Sequence, residues 1–99
     1  MKYRVILRPQ AQADVRQARE WYETRRLGLG RDFLDGVQSV LAGLAERPLR
    51  HPVVYRNIRR ALVRRFPYGV FYTVTEGEVF VVACFHSKRN PTLLVDRAR

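Results

Sequence analysis

The chain changes its repeat at Pro48. Before that proline, apolar side chains recur at helical spacing in two stretches; beyond it, short β-rich runs alternate with turn residues. Residues 9–26 place Ala11, Val15, Ala18 and Tyr22 on one stripe with Trp21 on its flank. Pro9 suits the first helical position, where its missing N–H is not needed. Arg16–Glu20 and Arg19–Glu23 are i,i+4 pairs on the wet side. Residues 31–47 form the clearer helix, with Phe33, Val37, Val40, Leu41 and Leu44 widened by Leu34 and Ala45. Leu27-Gly28-Leu29-Gly30 breaks the chain between them, so the two helices should fold back as an antiparallel hairpin.

Ahead of the hairpin, residues 3–7 form a short strand candidate. After it, residues 49–57 contain Pro52 and no clear period, which predicts a loop. Residues 58–66 alternate imperfectly, Pro67-Tyr68-Gly69 signals a turn, and residues 70–74 are β-rich. Residues 75–78 suit a hairpin turn, residues 79–85 are the strongest strand, and Ser87-Lys88-Arg89-Asn90-Pro91 is a further turn. Residues 92–98 can close with a short helical turn. The expectation is a single α+β domain over residues 1–99. The order is an N-terminal strand, a helical hairpin and a three-strand meander, with the hairpin packed on one face of a mainly antiparallel four-stranded sheet. Within residues 58–66, Ile58, Arg60, Leu62, Arg64 and Phe66 share one side. Val79, Val81, Ala83 and Phe85 alternate with Phe80, Val82, Cys84 and His86, so that strand is apolar on both faces. The helices can cover one face only. The other is expected to await a partner chain.

Charge narrows the kind of partner. Residues 47–89 carry nine basic side chains against two acids, Glu76 and Glu78, and so supply seven of the chain's ten net positive charges. A rigid basic surface of this kind suits an anionic partner, either nucleic acid or an acidic protein segment. With 46% hydrophobic and 28% charged residues, the composition is that of a globular protein and not a disordered one. No apolar run suits a bilayer span or a secretory leader, so a cytoplasmic location and no membrane association are expected. Cys84 is the single cysteine and can form no internal disulfide. One cysteine and two histidines, His51 and His86, are too few for a zinc site, and no metal or cofactor is expected. Asp14, Glu20, Glu23, Asp32 and Asp35 all fall on the helical hairpin, where solvated roles are expected. Gly28 and Gly30 lack the preceding strand that a phosphate-binding loop needs. The arginine set remains as the chemistry-bearing feature, able to grip phosphate or carboxylate in paired hydrogen bonds.

Three segments carry a resemblance: ALVRRFPYGVFYTV, the following EVFVVACFHSKRNP, and the early AQADVRQAREWY helix. Together they resemble the RelE/ParE superfamily of bacterial type II toxins, in its plasmid-stabilisation branch, over almost the whole chain. The resemblance implies a helical hairpin against an antiparallel sheet. It also implies a cognate antitoxin whose extended, partly acidic tail wraps the toxin as a hetero-oligomer. Antitoxin contact would then fall on Trp21 of the hairpin and on Arg60, Leu62 and Arg64 of the sheet face. RelE-like members cut mRNA on the ribosome with basic residues and a C-terminal tyrosine, whereas ParE-like members inhibit DNA gyrase. Arg89 matches the basic residue after the last strand. The central-strand arginine falls at Gly69 and the tyrosine near Val95, so both are absent. The resemblance therefore implies a non-catalytic gyrase inhibitor that meets its target through Lys88 and Arg89. The alternative it leaves is a metal-independent, ribosome-dependent endoribonuclease using Arg64, His86, Lys88 and Arg89; a third reading is a plain adaptor or decayed toxin that only binds its partner.

Overall fold

The computed structural model describes residues 2–97. Strand β1 (Arg4–Leu7) stops just before Pro9 opens helix α1 (Pro9–Arg25), and helix α2 (Leu29–Glu46) returns alongside it. A 3₁₀ turn at Pro48–Arg50 leads to β2 (Val53–Tyr55), then to β3 (Ile58–Leu62), β4 (Tyr68–Thr75) and β5 (Glu78–His86). A second 3₁₀ turn, Pro91–Leu94, follows. The strands form one sheet in the order β1-β5-β4-β3-β2. β1 runs parallel to β5, and every other neighbouring pair is antiparallel. The α+β layout, with its helical hairpin on one sheet face, is the one the periodicity dictates.

The sheet has five strands where the sequence predicts four. The extra one, β2, lies inside the expected loop at residues 49–57. Three residues whose pairing with β3 shifts between Val53 and Tyr55 leave no readable alternation. β3 also ends earlier than expected, at Leu62. Arg65 turns the chain at φ 71°, and the Val63 N–H donates to the Tyr68 carbonyl at 2.8 Å. Phe66 thereby leaves the sheet and joins the core under the helices, while Tyr68 and Gly69, expected in the turn, begin β4.

A bulge in β5 decides which side chains face the helices. Phe71 pairs with Ala83 but Tyr72 pairs with Val81, so Val82 is an extra residue opposite β4. Past that point the alternation reverses. Val79, Val81 and Cys84 pack under the helices with Tyr22, Phe33 and Val37, while Val82, Ala83 and Phe85 turn to the other face with Phe71 and Ile58. Strict alternation, which groups Val79 and Val81 with Ala83 and Phe85, is therefore corrected.

That second face is not left bare at its centre. Leu94, from the C-terminal 3₁₀ turn, is 0% exposed and packs with Ile58, Phe71, Val82, Ala83 and Phe85. The expectation that these 99 residues supply no cover of their own is overturned for this patch. What stays open lies at its margins, where Leu62 is 57% exposed.

The hairpin closes through one carboxylate. Glu23 accepts the Gly28 N–H at 3.0 Å and the Gly30 N–H at 2.9 Å, serving amides at the start of α2 that have no helical partner. Those two hydrogen bonds hold its carboxyl below the usual range. The solvated role expected for Glu23 gives way to helix capping. Gly30 also lets the helices approach, since a Cβ there would sit 2.8 Å from the Arg19 carbonyl oxygen and 2.9 Å from Glu23 Oε1. Gly30→Ala should therefore cost about 1–3 kcal/mol through overpacking against backbone. A drop in the urea midpoint checks it, and an unchanged midpoint would refute the close approach.

Candidate functional site

Lys88 and Arg89 occupy the turn after β5. Ser87 donates its N–H to the Pro67 carbonyl at 2.8 Å, and Arg89 donates to the His86 carbonyl at 3.0 Å. His86 Nδ1 accepts the Lys88 N–H at 3.2 Å, and Asn90 Oδ1 accepts the Thr92 N–H at 3.0 Å. Lys88 and Arg89 thus stand exposed on a turn whose backbone is pinned at several points. The Arg89 guanidinium lies 4.9 Å from the centre of the Phe85 ring.

Two cavities sort the candidates. Between α1 and the ends of β4 and β5 lies a groove of about 580 Å³, lined by Trp21, Tyr22, Tyr68, Phe85, His86 and Arg89 among others. His86 leans on Tyr68 with ring centres 5.8 Å apart. Trp21 is half exposed and carries the Arg25 guanidinium 4.1 Å from its ring centre, while Tyr22 is buried. Arg64 lines a different cavity, of about 520 Å³, beside α2 with Arg26, Asp32, Asp35 and Arg65. So His86, Lys88 and Arg89 share one turn, and Arg64 stands apart from them.

Arg60 reaches the turn from the opposite side. Its Nη1 lies 3.5 Å from the Ser87 carbonyl oxygen, and its stem crosses β4 at Gly69. Five cations are engaged with carboxylates among the described residues: Lys2, Arg4, Arg26, Arg31 and Arg97. Arg60, Arg64, Lys88 and Arg89 are not among them, so their charge is available to an anionic partner.

One junction escaped the sequence reading. Asp14, assigned a solvated role, accepts from Arg97 Nη1 at 2.8 Å, Arg97 Nη2 at 3.3 Å and the Cys84 N–H at 3.0 Å. Arg97 also donates to the Val82 carbonyl at 3.0 Å. This seals the stretch of β5 that runs on past β1. Residues 83 positions apart leave no local signal for such a pair.

Cys84 packs beneath the helices, and burial with the nearby Asp14 charge pushes its thiol up to about 12. Burial likewise raises Tyr72 to about 12 against the opposing charge of Arg59. Both protons leave the unfolded chain at lower pH, near 9.0 for the thiol and 10.0 for the phenol. Between those values and about 12 the unfolded state binds fewer protons, so stability falls as pH rises. The urea midpoint should lose nothing to these two groups below pH 9.0 and decline as pH climbs toward 12. A midpoint rising over that window would contradict the burial of both groups. The thiol, protonated and enclosed, should resist disulfide-exchange reagents at neutral pH until denaturant is added. Among the described residues no three His, Cys, Asp or Glu side chains converge, and no helix is long and apolar enough to cross a membrane.

Comparison with known proteins places this geometry. Among curated proteins, none matches the chain in sequence. Several solved structures share its fold, three of them as follows. The chromosomal ParDE toxin–antitoxin system of P. aeruginosa aligns with a TM-score of 0.63 at 15% identity, over 86% of this chain and 96% of that one. The toxin–antitoxin complex RelBE2 of Mycobacterium tuberculosis aligns with 0.63 at 20% identity, over 87% and 99%. A doubly substituted E. coli toxin RelE in the free state aligns with 0.69 at 15% identity, over the full length of both chains. These identities establish the fold alone. The family model that describes the ParE toxin of the type II toxin–antitoxin system parDE matches residues 5–91. The chain belongs to the ParE toxin family, within the RelE/ParE superfamily of type II toxins.

Proposed function

We propose that this toxin arrests growth by binding and inhibiting DNA gyrase in the cytoplasm, and that a cognate antitoxin neutralises it. One observation carries the choice of target. By the resemblance, the central-strand arginine of the superfamily's nucleases falls at Gly69, and in this structure the space above Gly69 is filled by the Arg60 stem. The position of their C-terminal tyrosine falls near Val95, an aliphatic residue. A nuclease without these two groups loses a charge contact on the reacting phosphate and a ring near it, together worth several kcal/mol of transition-state stabilisation. A binding toxin loses nothing by their absence. Lys88 and Arg89, held out on a pinned turn, supply the target contact in this reading.

The antitoxin reading is supported by charge and by relatives. Arg60 and exposed Leu62 share the second sheet face, a mixed basic and apolar surface that suits an extended acidic tail, while Arg64 opens into the cavity beside α2 and exposed Trp21 lines the groove beside α1. Two of the similar structures are toxin–antitoxin assemblies, ParDE and RelBE2. Such a tail would bind this surface as a hetero-oligomer.

The nuclease alternative draws on the shared turn of His86, Lys88 and Arg89, but its fourth residue, Arg64, opens into the other cavity. Primer extension on mRNA from translating ribosomes incubated with the purified chain separates the two. Intact message is the expected result. Cuts confined to ribosome-bound codons would overturn the proposal in favour of the endoribonuclease.

A further inference from the structure

A side chain at the end of β5 holds the turn that displays Lys88 and Arg89. Ser87 and Arg89 donate their N–H groups to the backbone carbonyls of Pro67 and His86, but the Lys88 N–H, between them, donates to His86 Nδ1 at 3.2 Å. Only a ring nitrogen without a proton can accept, so in this arrangement the imidazole is neutral and its proton sits on Nε2. An imidazolium carries N–H at both positions and would set donor against donor. The ring is also steadied by packing. His86 and Tyr68 are the last partners of the β4–β5 ladder, their ring centres lie 5.8 Å apart, and Tyr68 packs in turn on Tyr22 and Phe33. The titratable groups lining the same groove are Asp14 and Tyr22 of α1, Tyr68 of β4, and Cys84 and Arg89 beside the ring's own strand and turn. Asp14 is engaged by Arg97 and the Cys84 N–H, and burial raises both phenols and the thiol, so these three carry no charge at neutral pH. Histidine is the residue type that changes charge between about pH 5 and 8.

We propose that His86 is a positioning residue for target binding: its unprotonated Nδ1 ties down the Lys88 amide, fixes the direction in which Lys88 and Arg89 meet the target, and lets go when the ring takes a proton. This rests on the reading that those two exposed cations supply the target contact. Long side chains mounted on a loose backbone must be ordered during binding, which weakens the complex; a turn pinned beforehand avoids that loss. The neutral ring adds nothing to the basic surface, so its contribution is to geometry and not to charge. Protonation therefore has two opposed effects: it adds a positive charge beside Lys88 and Arg89, and it frees the backbone that aims them.

Two variants separate the acceptor from the ring. An asparagine side-chain oxygen stands close to the place of Nδ1 and a glutamine oxygen close to that of Nε2, so His86→Asn keeps an acceptor for the Lys88 N–H and His86→Gln does not. Long-range proton–nitrogen NMR correlations of the ring at about pH 8 should place its proton on Nε2. Exchange of the Lys88 amide should be about fivefold faster in His86→Gln than in the parent, and within about twofold of the parent in His86→Asn. The toxin concentration that halves gyrase supercoiling should rise about fivefold for His86→Gln and less than about twofold for His86→Asn. Lowering the pH to about 5.5 should loosen the Lys88 amide of the parent in step with protonation of the ring, after correction for intrinsic exchange, and leave His86→Asn unchanged. If His86→Gln does not melt cooperatively, this pH series on the parent decides. A proton found on Nδ1, or equal Lys88 exchange in the parent and His86→Gln, would overturn the proposal. Equal losses in the two variants would overturn it too, by showing that the ring acts only through its packing on Tyr68. A parent that leaves supercoiling untouched removes the gyrase reading alone; the ring proton and the amide exchange, measured without gyrase, still decide the pin.

Discussion

Phe33→Ala is expected to destabilise the fold by about 3–5 kcal/mol. Phe33 is fully buried on α2, and its ring centre lies 5.3 Å from those of Tyr22, Phe66 and Tyr68. These rings come from α1, from the β3–β4 turn and from β4, so one truncation loosens three elements together. Edge-to-face packing with Phe66 and Tyr68 adds to the loss of buried area. A domain of this size has only about 5–15 kcal/mol to lose, and each kcal/mol shifts Tm by about 4–8 °C. Thermal melting should therefore show a fall of about 15–30 °C. A fall of a few degrees would mean that the cluster is not the keystone of the helix–sheet contact. Tyr68 also supports His86, so a softened cluster should loosen the end of β5 as well.

The second large effect is expected where β5 runs on past β1. The Asp14 and Arg97 side chains are only 13% and 19% exposed. Asp14→Ala strips Arg97 of its counter-charge and leaves the Cys84 N–H without an acceptor. Breaking a pair this enclosed should cost about 3–4 kcal/mol, because a charge remains where water reaches poorly. The double variant Asp14→Ala with Arg97→Ala should lose less than the sum of the two single losses, since neither orphaned charge then remains. Urea denaturation of the four proteins measures this coupling. Strict additivity would show the pair to be a surface contact of little worth. Arg97 also tethers the C-terminal segment that places Leu94 on the second sheet face, so its loss should expose that apolar patch.

What the sequence made legible was whatever repeats locally. The stripe Phe33, Val37 and Leu44 is the face that α2 buries, and Gly28 turns the hairpin at φ 89°, whereas Gly30, expected in the break, lies inside α2. The Ser-Lys-Arg-Asn-Pro turn stands where its residues placed it, with Lys88 and Arg89 exposed. Features created by pairing stayed hidden. The bulge at Val82 arises from register against β4, and an all-apolar run carries no mark of it. Three residues of β2 cannot display alternation, and Leu94 covers the second face from a segment with no period. Arg60 is one of many arginines in the sequence, but its position depends on Gly69 lying diagonally across the β3–β4 pair. Asp14 looked like any polar helix residue until Arg97 was folded against it.

The central claim concerns what this ParE-family toxin acts on. Supercoiling of relaxed plasmid by purified DNA gyrase, titrated with the purified chain, tests it most directly. Dose-dependent loss of supercoiling is the expected outcome, relieved when both Lys88 and Arg89 are replaced by glutamine. Supercoiling that continues undiminished at large molar excess of folded toxin would contradict the claim.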